Sequence, residues 1–253
     1  MGRALEHNRA LSVDIGPRPT GSEGERRALD YITAAFKQAG WDVAHQTFKR
    51  ADGGSSANAI ARLQSANYSA GYLVVGGHYD TVARSPGGND NASGVAVVLT
   101  LAESLSGTDL PIELVAFAAE EIHSTSRKHH EGSRAHASSS DKSLIKAMLS
   151  IDMIGAGPKV LVVADREAPS ALPGELLEIA KSIGVPTGSL ERGDISDHTS
   201  YSRIGIPAVL LWTGKHETFH KPTDTFDVVE PDALQRAGTL TLEWIKRRYG
   251  QTA

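Results

Sequence analysis

The segment from Leu73 to Gly94 limits the possible folds of this chain more than any other stretch. It opens within the apolar run Tyr72 to Val75, whose length and β-branched content are typical of a buried strand. Two glycines then lead into a polar, glycine-rich loop, and a helical apolar pattern follows from Gly94 to Leu105. The segment therefore predicts a strand, a loop that carries polar side chains, and a helix.

The same alternation of strand and helix patterns continues along the chain. A capping box at Ser22 and Glu25 precedes an amphipathic helix pattern, and two alternating runs predict a hairpin, Trp41 to Lys49 and Ala57 to Leu63. Later strand patterns are Pro111 to Ala118, Leu149 to Met153, Val160 to Val163 and Pro207 to Leu211, and later helix patterns are Pro173 to Ile183 and Asp232 to Arg248. This order predicts an α/β fold in a single domain, residues 1–253. We expect a three-layer sandwich: a mixed, mostly parallel β-sheet with helices on both faces.

Histidine and carboxylate side chains follow several of the predicted strands. His78 ends the first central strand, Glu120 and Glu121 follow the next, Asp152 ends another, and His220 lies in the loop after the last. Functional groups of α/β sheets gather beyond the carboxyl ends of the strands, so we expect these side chains to share one crevice. Zinc suits imidazole nitrogens and carboxylate oxygens without thiolates.

Composition and charge exclude several classes of partner. The chain has 253 residues, a formal net charge of -4 and no long Lys/Arg block, so a nucleic acid partner is not expected. No apolar run reaches the ~20 residues of a membrane helix, and the first residues lack the apolar core of a signal peptide. We therefore expect no membrane association, and a cytoplasmic location unless a signal has been removed from a secreted protein. The absence of cysteine excludes disulfides and thiolate ligands.

Five short strings together resemble the M28 family of co-catalytic zinc aminopeptidases. They are His78-Tyr79-Asp80, Asp90 within GGNDNASGVA, Glu120-Glu121 after VAFAA, Asp152 within LSIDMIG, and His220 within FHKPTDT. Their order and spacing carry the resemblance, which extends from GPRPTGSEGERR near residue 16 to the terminal helix.

The resemblance implies two Zn²⁺ ions per chain and a role for each residue. One zinc would be held by His78 and Asp152 and the other by Glu121 and His220, with Asp90 as the bridge between them. Glu120 would be the general base, and Asp80 would orient His78. The implied substrate is a peptide or aminoacyl compound cleaved at its N-terminal peptide bond. The resemblance also implies a cis peptide between Asp90 and Asn91.

Two other functions stay open on the same scaffold. Glutaminyl cyclases are similar in fold and in the Asp197-His198 string but act as aminoacyl transferases with one zinc. A non-catalytic binding domain is the other alternative, although such domains typically lose a metal ligand or the base.

The string His216 to His220 also matches H-E-x-x-H, the signature of single-zinc proteases. That signature needs a helix. Gly214 and Pro222 bracket the match too closely for one, so we do not expect this site.

Several positions depart from the family pattern or have an open role. The segment Ile122 to Glu131 is longer than expected before Gly132-Ser133, and we favour a solvated loop over a lid in which His123, His129 or His130 touches substrate. Phe219 occupies the position where some members have a tyrosine that stabilises the oxyanion. Asp197 and His198 could contact substrate or cap a short helix, and Tyr201 and Trp212 are expected in the core rather than in a substrate pocket.

Overall fold

Eight strands form one sheet in the computed structural model, which describes residues 2–121 and 129–250. They are β1 (Asp42–Lys49), β2 (Ser55–Arg62), β3 (Tyr72–His78), β4 (Ile112–Phe117), β5 (Ile145–Ile151), β6 (Val160–Asp165), β7 (Thr187–Arg192) and β8 (Ala208–Trp212). Their order is β1-β2-β4-β3-β5-β8-β6-β7. The central strands β4, β3, β5 and β8 are parallel, as are β6 and β7, whereas the β1-β2, β2-β4 and β8-β6 pairs are antiparallel. The predicted mixed, mostly parallel sheet is confirmed.

Helices cover both faces of this sheet. They are α1 (Gly2–Arg9), α2 (Glu23–Gln38), α3 (Ala92–Ser104), α4 (Glu131–Ser139), α5 (Leu172–Ser182), α6 (Thr199–Ser202) and α7 (Pro231–Arg248). A π-helical turn, Ala10–Ile15, extends α1, and single 3-10 turns occupy Tyr68–Ala70 and Phe226–Val228. Helices α1, α2, α3, α5 and α7 pack on one face, and α4 and α6 pack on the other, so the predicted three-layer sandwich is confirmed.

Successive side chains of the central strands point to opposite faces of the sheet, and this gives the interior two separate cores. Leu73 and Val75 of β3 face the larger core beneath α3 and α7, whereas Val74 faces the smaller core beside α4 and α6. Successive side chains of a strand point to opposite faces, so a strand buried on both sides reads as a continuous apolar run. This is why the central strands could be recognised from sequence.

Helix α4 and strand β7 were not predicted, because neither carries an apolar periodic pattern. Helix α4 lies within the polar segment that precedes the serine run and buries Gly132, Ser133, His136 and Ala137. The His136 ring is buried because its Nε2 lies 2.7 Å from a carboxylate oxygen of Glu113. Strand β7 is an edge strand whose residues are exposed or half-buried, so it lacks the hydrophobic pattern of the central strands.

No helix within residues 2–121 and 129–250 combines the length and the apolar character needed to cross a membrane.

Candidate metal centre

Side chains from separate segments meet beyond the carboxyl ends of the central strands. Metal-ligating atoms of His78, Asp90 and Asp152 lie within 4.8 Å of one another, and so do those of Asp90, Glu121 and His220. Each of these five predicted ligands therefore belongs to one of two clusters, and Asp90 belongs to both.

The two carboxylate oxygens of Asp90 face different histidines. Oδ1 lies 3.3 Å from Nε2 of His78, and Oδ2 lies 3.3 Å from Nε2 of His220. His78 Nε2 is also 3.4 Å from Oδ1 of Asp152, and His220 Nε2 is 3.1 Å from Oε2 of Glu121. This geometry gives each cluster one imidazole, one carboxylate of its own and one oxygen of the shared Asp90.

Glu120 is buried beside the clusters but belongs to neither. Its Oε2 lies 4.0 Å from Nε2 of His78. The carboxylate therefore lies beside the clustered groups without being one of them.

Asp80 binds the backbone of the two glutamates more directly than it binds His78. Its Oδ1 accepts a hydrogen bond from the Glu120 backbone N–H at 3.1 Å, and its Oδ2 accepts one from that of Glu121 at 3.2 Å. The His78 Nδ1 is 3.2 Å from the backbone carbonyl of Asp80 and 3.6 Å from its carboxylate. Asp80 therefore fixes residues at two strand ends, and its carbonyl as well as its carboxylate faces the His78 ring.

The clusters carry an excess of negative charge that histidine protons offset. Burial lowers the pKa of His220, but Asp90 and Glu121 raise it to about 10. Burial likewise opposes protonation of His78, yet the carboxylates of Glu120 and Asp152 hold its pKa well above the usual value. Burial and the nearby Asp90 raise the pKa of Glu121. These shifts have the directions expected for imidazoles and carboxylates that are held close together and away from water.

The donor set and its surroundings fit divalent cations. Oδ1 of Asp152 is buried and, apart from its ion-pair contact with His78 Nε2 at 3.4 Å, accepts no hydrogen bond from the residues that the structure describes, whereas its Oδ2 accepts one from Ser196 Oγ at 2.9 Å. A buried carboxylate oxygen without a partner is costly, and a cation would satisfy it. Imidazole and carboxylate ligands without thiolates favour zinc among biological metals.

Asp224 holds the backbone of the loop that carries Asp90. Its two carboxylate oxygens accept hydrogen bonds from the backbone N–H groups of Asn89, at 2.9 Å, and Asp90, at 3.0 Å. Sequence reasoning missed this residue, although it lies four positions after His220 in one of the quoted strings. Asp224 thus links the loops that deliver Asp90 and His220.

A fully buried arginine ties the same loop to the N-terminal segment. The guanidinium of Arg18 donates hydrogen bonds to backbone carbonyls of Leu11, Gly16, Tyr79, Pro86 and Gly87. Burial lowers its pKa to about 10, although Asp80, Asp224 and Asp90 favour the charged form. Arg18 therefore supplies both a positive charge near the acidic cluster and a fixed path for the chain before Asp90.

Asn91 connects the loop to α3 and β5. The peptide bond between Asp90 and Asn91 is cis, as the resemblance implied. The Asn91 side chain accepts a hydrogen bond from the Gly94 N–H at 2.8 Å and donates one to the Ile151 carbonyl at 2.9 Å. Residue 94 must be small, because a Cβ there would collide with that carbonyl. These contacts hold the start of α3 against the strand that delivers Asp152.

The clusters form the floor of a cavity of about 920 Å³. Its apolar walls include Val82, Leu161, Leu190, Ile195, Leu210, Trp212 and Phe219. The expectation that Trp212 lies in the core is wrong, because it is half-buried and faces this cavity, whereas the same expectation is confirmed for Tyr201, which is fully buried. Phe219 stacks on His220, with ring centroids 3.6 Å apart, so it holds the imidazole ring of His220 in place. As a phenylalanine, its side chain offers no hydrogen-bond donor.

The H-E-x-x-H match does not form a helix. Residues 217–220 lie in turns, and the Nδ1 of His216 lies 2.9 Å from Oγ1 of Thr218. Only His220 of this string belongs to a potential metal cluster within the described part of the chain.

Asp197 and His198 are buried next to the site, and their side chains cap no helix. His198 is the N-terminal flanking residue of α6 but makes no side-chain capping bond. Neither the Asp197 oxygens nor the His198 nitrogens have hydrogen-bond partners within the described ranges. Burial, together with the charge of Glu120, raises the pKa of Asp197 to about 7, and burial lowers that of His198 to about 4.

The longer segment after Glu121 is described only from residue 129 onward. His123, one of the three histidines considered there, lies outside the described residues. His129 is exposed and lines the cavity, whereas His130 is buried and lies 2.9 Å from Glu120. No local pattern could place His130 there, because it lies nine positions after Glu121.

Comparisons with known proteins identify a family and a fold that this chain shares. A profile of the family described as Peptidase family M28 matches residues 58–245. Aminopeptidase YwaD of Bacillus subtilis (strain 168) is 32% identical over 180 residues, which cover 66% of this chain and 39% of YwaD. Leupeptin-inactivating enzyme 1 of Streptomyces exfoliatus is 30% identical over 208 residues, which cover 80% of this chain and 46% of that enzyme. The chain therefore matches less than half the length of either relative.

Two solved structures show the same fold. A zinc aminopeptidase from Bacillus subtilis superposes with a TM-score of 0.86 at 17% identity, covering 98% of this chain and 94% of that one. A glutaminyl cyclase from Porphyromonas gingivalis superposes with a TM-score of 0.82 at 21% identity, covering 98% of each.

The three-layer α/β sandwich of this chain is thus a zinc-peptidase-like fold. With the profile match over most of its length, the chain belongs to peptidase family M28.

Replacing Asp224 by Asn tests the support of the Asp90 loop. The variant places an amide NH₂ group against one of two backbone N–H donors, so we expect the metal-free protein to lose about 1–3 kcal/mol of unfolding free energy. Urea denaturation measures this loss. Asp227→Asn, an exposed change three residues away, is the control and should leave the denaturation midpoint unchanged.

Proposed function

We propose that this chain is a zinc-dependent aminopeptidase that hydrolyses the N-terminal peptide bond of peptides. The observation that carries the proposal is the pair of clusters that share Asp90, with Glu120 beside them and outside both. Family membership and the aminopeptidase among its relatives support the same reaction.

The proposed ligand sets follow the two clusters. His78 and Asp152 would hold one Zn²⁺, Glu121 and His220 would hold the other, and Asp90 would bridge them. When bound, such a pair of ions polarises the scissile carbonyl and lowers the pKa of water at the site. Asp80 would keep its proposed role of fixing His78, in addition to its bonds to the backbone of both glutamates.

The chain's own groups would perform the proton transfers and bind the substrate. Glu120 would take a proton from the attacking water and return it to the departing amine. The carboxylates of the site would attract the free α-ammonium of a peptide, which favours cleavage at the N-terminus. The apolar cavity walls would contact the first side chain of the substrate.

Completeness of both clusters favours this function over the two alternatives. A glutaminyl-cyclase-like transferase would work with one zinc, and the likeness to such an enzyme is one of fold. A non-catalytic binding domain would have no requirement for a glutamate placed beside two intact ligand sets. Turnover of N-terminal glutaminyl peptides to pyroglutamyl products, without hydrolysis, would favour the cyclase.

Substituting Glu120 by Gln tests the general base. The amide cannot accept the proton, so we expect kcat on an aminoacyl chromogenic substrate to fall about 100- to 10,000-fold. Glu217→Gln is the matched control, because Glu217 is exposed and belongs to the H-E-x-x-H string. A large loss in Glu217→Gln with an active Glu120→Gln would favour the single-zinc protease mechanism instead.

Removal and return of metal test the cofactor. We expect chelation to abolish hydrolysis, zinc to restore it, and elemental analysis of the restored protein to give two zinc ions per chain. Asp90→Asn should lower that ratio, because Asp90 contributes to both clusters. Hydrolysis that survives complete removal of metal would contradict the proposed function.

A further inference from the structure

His130 lies between the proposed base and a second carboxylate. Its Nε2 is 2.9 Å from Oε1 of Glu120, and its Nδ1 is 3.1 Å from Oδ1 of Asp194. The ring is buried, with 3% of the side chain exposed. Each ring nitrogen therefore faces a carboxylate oxygen, and the ring lies between two acidic side chains.

Backbone hydrogen bonds fix residue 130 against residue 120. The His130 N–H donates to the Glu120 carbonyl at 3.0 Å, and two further bonds join Glu131 to Ala119 and Gly132 to Ala118. Gly132 permits this close approach, because a Cβ there would collide with the Ala118 carbonyl. The imidazole therefore reaches Glu120 from a backbone that is anchored to the same strand end.

Asp194 is itself anchored by two further side chains. Its Oδ1 accepts a hydrogen bond from Thr199 Oγ1 at 2.6 Å, and its Oδ2 lies 2.9 Å from Nη1 of Arg203. The chain of contacts from Arg203 through Asp194 and His130 to Glu120 is thus continuous. At one end of this chain, Glu120 lies beside the metal-ligand clusters.

We propose that His130 is the positioning residue of the general base: it binds Oε1 of Glu120 and leaves Oε2 directed at the reaction site. The inference rests on the proposed function and assigns a role to a residue outside the predicted site. A carboxylate next to divalent cations readily becomes a ligand, and a base must instead stay free to exchange protons. His130 opposes that movement by holding one oxygen in place, and it offsets the repulsion from the neighbouring carboxylates.

The test compares variants of His130 and Asp194 in the full zinc-loaded chain. His130→Leu removes both donors, His130→Gln retains one, and Asp194→Asn weakens the anchor of an intact His130. His45→Leu is the matched control, since His45 is exposed on β1. For each variant, kcat and KM are measured on an aminoacyl chromogenic substrate, zinc content by elemental analysis, and thermal stability by circular dichroism.

We expect His130→Leu to lower kcat about 10- to 100-fold, a part of the contribution of general-base catalysis. KM should change less than about threefold, and zinc content should equal that of the unaltered chain, because His130 is not a ligand. His130→Gln should recover part of kcat. As a single variant, Asp194→Asn should lower kcat. Combined with His130→Leu it should cause no further loss of kcat, since Asp194 acts through the imidazole.

The outcomes separate this inference from the function on which it rests. If the unaltered zinc-loaded chain does not hydrolyse aminoacyl substrates, the proposed function fails and the inference fails with it. If that chain is active and His130→Leu keeps its kcat while only its melting temperature falls, His130 is a structural residue and the inference alone is overturned. A loss of zinc from His130→Leu would also overturn it. If His130→Leu does not fold, the double variant of His130→Gln and Asp194→Asn replaces it. Losses of kcat in the two single variants that simply add in the double variant would also overturn the inference.

Discussion

The carboxylate of Asp90 lies between two imidazole rings, and the rest of the site depends on that contact. Each of its oxygens is 3.3 Å from one ring nitrogen, and the side chain is buried. A buried carboxylate is costly unless positive charge and hydrogen bonds compensate it. The two histidines favour its ionised form and lower its pKa despite burial. Because Asp90 is common to both clusters, a displacement of its loop would disrupt both together.

The fold places this carboxylate through contacts that surround its loop. Asp224 holds the backbone ahead of Asp90, Asn91 ties the following helix to β5, and Arg18 fixes the residues before the loop. Four parallel strands deliver the other groups to the same edge. Most of these supporting bonds engage backbone groups, so they fix the path of the chain more than the rotamers of the ligands. The ligand rotamers are constrained instead by packing and by one another, as in the stack of Phe219 on His220.

The parts that could be predicted from sequence are those with local signals. Apolar runs such as Tyr72 to Val75 revealed the central strands, and the polar residues at their ends indicated a shared crevice. Helix α4 was not predicted, because its buried face consists of small and polar residues whose partners lie on other elements. For a related reason, sequence analysis did not predict the roles of Arg18, Asp224 and His130. Each acts through contacts with residues distant in sequence, and no local pattern reveals such contacts.

The backbone at His130 lies against the strand end that carries Glu120. The chain returns at His130 and Gly132 to the strand end that carries Glu120, and its backbone pairs there with Ala118, Ala119 and Glu120. The two glutamates at this strand end are also bound to Asp80 through their backbone N–H groups. The same return brings an imidazole to the proposed base.

X-ray absorption at the zinc edge tests the central claim most directly. With two equivalents of zinc bound, the account predicts nitrogen and oxygen ligands only, together with metal–metal scattering from two ions that share one carboxylate. Loss of that scattering in Asp90→Asn would support the same assignment. Isolated zinc ions without metal–metal scattering in the unaltered, fully loaded protein would contradict it.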